Sequence, residues 1–274
     1  LGGRIAVAAG QSAAVLDATA GNVVSVLRGS KNSTSAHESA VLACAASADG
    51  SRVATAGEDR CAKIWDARTG ALLRVLVGHA GWVNGVALSA DGRFASTAST
   101  DRAARVWDTS AGETKDVNSR SETNTGSMRN SYVPLAVLSG HTHFVSACAF
   151  SPRVLVADDD SLRVATASWD RTVKVWRWKA EVRRGDDAEA RETPITASLT
   201  LRGHARRVLA CAFSPDGQSL ATCGADRAAH VWDATTGALR LRLRAHADDV
   251  TSCAFSPASC LHNDTSLLMT CSAD

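Results

Sequence analysis

The chain is 274 residues long, 45% apolar and 5% aromatic, with a formal charge of +2; this allows one large β domain or two ordinary ones, with enough apolar material for a core. No block of Lys or Arg accompanies the near-balanced charge, so neither nucleic acid nor anionic lipid is called for as a partner. No apolar run approaches the length needed to cross a bilayer, and no succession of charged, apolar and small residues reads as a signal peptide.

The chain opens at Leu1 without an initiator Met, and the expectation is a piece of a longer protein. Arg4 to Gly10 and Val15 to Asp17 read as two short apolar strands. From residue 37 onward a lattice of single residues repeats. His37, Thr55, Asp59 and Trp65 are followed by His79, Thr97, Asp101 and Trp107, then His141, Thr166, Asp170 and Trp176, then His204, Thr222, Asp226 and Trp232. A last set, His246, Thr270 and Asp274, lacks the Trp. In every set the Asp stands four residues after the Thr, and in the complete sets the Trp stands six after the Asp. Successive His positions lie 42, 62, 63 and 42 residues apart, so the unit is 42 with an insertion of about 20 in two copies.

The insertions are 109–131, rich in Ser and Thr, and 179–196, of mixed charge; both read as solvated loops, the first with hydroxyls open to phosphorylation. Asn32-Ser33-Thr34 and Asn263-Asp264-Thr265 match the glycosylation sequon, which an intracellular protein leaves unmodified. Within one unit, Val208 to Phe213, Ser219 to Gly224, the run closing at Trp232 and Leu239 to Leu243 are β-prone, separated by Pro215-Asp216-Gly217, Gly224 to Arg227 and Ala234 to Gly237. Each unit is thus a four-stranded antiparallel sheet, apolar on both faces and in need of stacked neighbours.

Eight cysteines raise a disulfide framework or a zinc site, but no Cys-x-x-Cys pair exists. Cys44, Cys148, Cys211 and Cys253 each fall seven residues after the repeat His, which reads as one small buried pocket in each unit, with reduced thiols and an intracellular setting.

Taken together, the Gly-His opening, the Asp turn and the Trp-Asp close of 65–66, 107–108 and 232–233 resemble the WD40 repeat. The resemblance implies an all-β, WD40-type β-propeller of four-stranded antiparallel blades. Such rings most often close with seven blades, and about five can be assembled here, so a fragment of a longer ring is expected. The expected organisation is a partial repeat at 1–28, repeats at about 29–66, 71–108, 133–177 and 196–233, and a truncated repeat at 238–274. In the partial repeat Ala6, Gly10 and Leu16 replace Thr, Asp and Trp, so a less rigid blade without the polar network is expected.

By the same resemblance, the His, Thr, Asp and Trp of each unit form a structural hydrogen-bond network. They look superficially like a hydrolase triad, yet an enzyme has no use for five copies of it, so no catalytic, cofactor or metal residue is expected. The resemblance further implies that the third and fifth residues after the His, and the residue before the turn Asp, face partners on one rim. Trp82, Asn84, Phe144, Ser146, Trp169 and Arg207 fall on such positions. The three aromatics are expected to form one apolar patch flanked by the polar three, holding a peptide or partner domain. Arg60, Arg102, Arg171 and Arg227, one after each turn Asp, read as solvated turn residues.

The function implied is a non-catalytic intracellular protein-interaction scaffold. A fainter likeness, around Val208 to Phe213 and Thr251 to Phe255, is to the WD-repeat half of proteins with SAM and U-box domains; it raises a substrate-recognition propeller of a ubiquitin ligase. The regulatory arm of a switch ATPase is a third class, although no Gly-rich phosphate loop occurs in these residues.

Overall fold

Runs of five or six residues whose apolar side chains alternate with small polar ones suit a pleated sheet, and Asp-Gly between them reverses the chain. The computed structural model describes residues 4–28, 36–109, 134–152, 161–179, 193–256 and 267–274, and no helix occurs among them.

The first sheet holds β1 (Arg4–Ala9), β2 (Ser12–Asp17) and β3 (Val23–Leu27). The second holds β4 (Val41–Ala46), β5 (Arg52–Gly57), β6 (Cys61–Asp66) and β7 (Leu72–Val77). The third is built on β8 (Val83–Leu88), β9 (Phe94–Ser99), β10 (Ala103–Asp108) and β11 (Ala136–Ser139). The fourth runs β12 (Val145–Phe150), β13 (Ser161–Ser168), β14 (Thr172–Lys179) and, past the short β15 (Thr193–Pro194), β16 (Ala197–Arg202). The fifth is β17 (Val208–Phe213), β18 (Ser219–Gly224), β19 (Ala229–Asp233) and β20 (Leu239–Leu243), and the sixth pairs β21 (Val250–Phe255) with β22 (Leu268–Ser272). Within each sheet, strands consecutive in the chain pair antiparallel, β16 following β14.

Turn chemistry explains the local folding. In three units a Ser accepts from the N–H five residues on while its hydroxyl donates to an Asp two residues on: Ser47 with Asp49, Ser89 with Asp91 and Ser214 with Asp216. The next Gly takes positive φ, 67° at Gly50, 64° at Gly92 and 67° at Gly217, a conformation that an L side chain resists.

The first strands of the second to sixth sheets, β4, β8, β12, β17 and β21, lie side by side in chain order, and β8, β12, β17 and β21 each also lie against the second strand of the sheet before. This sets the sheets as successive blades around a common axis. Backbones approach closely there: a Cβ on Gly85 would meet Ala147 Cα at 3.1 Å. The core sits between sheets, not within them. Ile64, Leu76, Val86 and Trp107 join the second sheet to the third, Phe94, Val106, Val164 and Trp176 the third to the fourth, and Val175, Leu201, Phe213 and Trp232 the fourth to the fifth.

The structure corrects the reading of 179–196 as loop throughout. Lys179 closes β14, and Thr193–Pro194 adds a fifth, parallel strand outside β11, opposite Ala136 and Val137. An edge position tolerates Pro because its missing N–H need not enter a ladder. β14 runs on past Trp176, which buries Trp178 edge-on against Phe94 at 5.0 Å. The partial repeat carries a third strand, β3, after a turn in which the Asp17 carboxylate accepts from the N–H groups of Thr19 and Ala20. Residues 110–131, most of 179–196 and both sequons lie outside the described residues. Thr109 is a buried anchor: Arg52 donates to its hydroxyl at 2.7 Å and to its carbonyl at 2.9 Å.

Candidate functional site

Each unit assembles its polar set from four places: the His on the approach to the first strand, the Thr on the second, the Asp in the turn after it, and the Trp near the end of the third. In the first full unit Trp65 Nε1 donates to Thr55 Oγ1 at 2.8 Å, His37 Nε2 is 2.7 Å from the same oxygen, and His37 Nδ1 is 2.8 Å from Asp59. The next three units repeat this with Thr97, Thr166 and Thr222 at the centre. His246 reaches Thr270 at 2.9 Å and Asp274 at 3.1 Å without an indole. An indole N–H only donates, so the hydroxyl oxygen accepts it and donates its own O–H to Nε2; Nδ1–H then donates to the carboxylate. Each carboxylate also accepts the backbone N–H after the His, at 3.1 Å from Ala80 and Thr142 and 2.9 Å from Ala205.

Burial works against the charges on Asp101 and Asp170, but bonds from His79, His141 and neighbouring donors outweigh it and hold both carboxyls well below the usual range. Burial likewise lowers the pKa of His79 and His204, partly offset by their aspartates. These imidazoles are neutral, buried and bonded at both nitrogens, an arrangement that fixes sheet geometry.

The fifth sheet departs from the pattern. Where other units carry Lys63, Arg105 or Lys174, His230 stacks on His204 with centroids 4.0 Å apart and planes 17° from parallel. Its Nε2 accepts from Arg242 at 3.1 Å, while its buried Nδ1 has no hydrogen-bond partner among the described residues. Burial first, then His204 and Arg242, brings its pKa down to about 4. Ligand atoms of His204, Asp226 and His230 lie within 4.8 Å of one another. Two nearly parallel stacked rings cannot both aim in-plane lone pairs at one ion, and His204 Nδ1 already faces Asp226 at 2.9 Å, so the trio packs as a stacked pair.

The rim positions are joined by backbone. The N–H before each turn Asp donates to the carbonyl of the third residue after the His: Thr100 to Trp82, Trp169 to Phe144 and Ala225 to Arg207, each at 3.0 Å. That bond brings Phe144 and Trp169 together, 5.3 Å between centroids. Sequence reasoning missed His143, which lies edge-on to Phe144 at 4.6 Å and stacked on Trp169 at 5.6 Å. Arg207 lies over the Trp169 ring at 4.8 Å and pairs with Asp249 at 3.6 Å.

Trp82, 52% exposed, makes no ring contact with this group among the described residues. Asn84 and Ser146 serve as ties between inner strands: Asn84 donates to the Val145 carbonyl at 3.1 Å, and Ser146 to that of Val208 at 2.7 Å. Beside Trp169 opens a cavity of about 390 Å³, lined by His143, Arg171, Arg206, Arg207 and Asp249 among others. His143 and Arg206 each stand two residues after a repeat His, the one signal in the sequence that could have found them.

Stacked four-stranded sheets, each pinned by its own His, Thr, Asp and Trp, define a β-propeller whose repeated polar lattice is structural. The family model described as "WD domain, G-beta repeat" matches residues 29–66, 70–108, 132–177, 196–233 and 237–274, and the chain belongs to this WD40 family. It is 31% identical over 205 residues to nuclear distribution protein PAC1 of Arthroderma benhamiae, covering 70% of this chain and 37% of the relative. It is 30% identical over 114 residues to a probable cytosolic iron-sulfur protein assembly protein 1 of Pyricularia oryzae, covering 34% and 25% of the two chains. WD repeat and SOCS box-containing protein 1 of Xenopus tropicalis is 36% identical over 96 residues, covering 35% and 18%. The chain therefore spans little more than a third of the length of the PAC1 relative.

Proposed function

We propose that this chain is a non-catalytic, intracellular protein-interaction scaffold that presents a propeller rim to protein or peptide partners and uses no cofactor. The reading rests on one contrast. The side chains that resemble reactive groups are turned inward and bonded to one another, whereas Trp169 is 36% exposed beside Phe144, His143 and Arg207. Aromatic rings with a stacked Arg are common anchors of protein interfaces. An intracellular setting is consistent with the seven described cysteines, all free, and with relatives named for nuclear distribution and cytosolic assembly.

Affinity capture from cells, with wild-type chain compared against Trp169→Ala and Phe144→Ala, tests it. Proteins recovered by the wild type are expected to fall away with either variant at unchanged thermal stability; full recovery by both variants sinks the reading. The similarity to a SOCS box-containing relative favours a second, narrower reading, a substrate-recognition propeller of a ubiquitin ligase. Ubiquitin-transfer components co-purifying with the full-length protein would be its mark.

A further inference from the structure

We propose that the cleft between the 169–171 turn and the 205–207 segment binds a phosphorylated side chain of a partner peptide, its apolar neighbour lying on the Trp169 and Phe144 rings. This inference rests on the scaffold reading and names the chemistry of its ligand.

The cleft is built and unevenly charged. Three arginines and one histidine line it against a single aspartate, in a chain whose total charge is only +2. Arg207 is oriented, its guanidinium held over the Trp169 ring and steadied by Asp249. Arg171 and Arg206 are exposed, and neither side chain has a hydrogen bond or ion pair among the described residues. His143 Nδ1 accepts the N–H of Phe144 at 2.8 Å, which leaves Nε2–H as a further donor. Guanidinium forks match oxyanions through paired N–H donors. One carboxylate satisfies one fork, whereas a phosphoryl group brings nearly two charges and three acceptor oxygens to the two unpaired arginines. The volume, about 390 Å³, takes such a group with room for an adjacent side chain.

A nucleic acid fits less well. Single strands are held by basic grooves that track several phosphates past successive stacking rings. Here the cations converge on one cavity.

The test is fluorescence anisotropy on the whole chain. The probe is an oriented library of short peptides with a fixed phosphoserine or phosphothreonine, alongside the same library carrying serine or glutamate, with inorganic phosphate and a single-stranded oligonucleotide as competitors. The phosphorylated library is expected to bind about tenfold more tightly than either counterpart, and less tightly as salt rises. Arg171→Asn combined with Arg206→Ala should erase that preference while circular dichroism stays unchanged and the melting temperature does not fall; Asn is chosen because it tolerates the positive φ of 70° at position 171. Equal binding of the serine or glutamate library overturns the proposal. So does displacement by free phosphate as effective as by phosphopeptide, or tighter binding of the oligonucleotide. If phosphoryl preference is absent yet Trp169→Ala still loses its captured partners, the scaffold reading survives and this inference alone falls.

Discussion

A threonine hydroxyl at the centre of each complete set carries two rings at once, accepting from the indole and donating to the imidazole. Thr166→Val keeps the shape and strands both, so a loss of roughly 2 to 4 kcal/mol in urea unfolding is expected; a loss under about 1 kcal/mol would show that the hydroxyl is not the keystone. His230 gives a pH dependence whose sign follows from its lowered pKa. Unfolded, the ring takes a proton near its ordinary pKa of about 6.5, but folded only near 4. Between these values the unfolded state binds more protons, so stability present above about pH 6.5 drains away as the pH falls toward 4. His230→Leu should flatten the melting temperature over that window, leaving the slope due to His79 and His204; an unchanged slope would refute the assignment. The recurring turn arginines were legible as a pattern but not as a conformation. Arg60, Arg102, Arg171 and Arg227 all take φ between 62° and 70°, where a side chain costs about 1 kcal/mol. Arg60→Asn is expected to stabilise by about 0.5 kcal/mol and Arg60→Val to destabilise, both read by thermal melts.

Strand positions could be read from alternation and turn residues because each hairpin is a local event: the Ser, Asp and Gly that close it lie within five residues. The parallel β15 could not be read. Its pairing with β11 joins residues more than fifty apart, and Thr193-Pro194 carries no periodic signal. Elements also decide how rigid the cleft is. Gly224 ends β18 where a Cβ would fall on the Arg207 carbonyl, with Val208 Cα only 3.2 Å away. Gly224→Ala should therefore push the 207–208 backbone outward, costing roughly 1 to 3 kcal/mol and altering the fluorescence of Trp169. Unchanged emission at unchanged stability would mean that the two strands are not in register as described.

The stability of the whole molecule comes from sheet against sheet, with Trp65, Trp107, Trp176 and Trp232 each buried. The first, fifth and sixth sheets still present apolar side chains: Val7 is 42% exposed, Val23 57%, Leu241 57% and Met269 66%. Surfaces of that kind associate when nothing covers them. The 274-residue chain is expected to self-associate in sedimentation as concentration rises, and Val7→Lys with Leu241→Lys to suppress it. A monomer at all concentrations would show that these faces are not adhesive.

The sequence by itself determined the repeat, most strands of each unit, the members of the polar set and the burial of Cys148, Cys211 and Cys253, though Cys44 at the same repeat position is only half-buried, because these depend on residues that recur at the same place in every unit. Tertiary structure alone decided which rim residues meet. Phe144, Trp169 and Arg207 come from two units 63 residues apart and are in contact, whereas Trp82 makes no ring contact with them among the described residues. Asn84 and Ser146 likewise turned out to tie neighbouring strands. The reason is geometric. A periodic sequence fixes what each blade offers, while the cleft between two blades depends on how their side chains, not repeated between units, fill the space that stacking leaves.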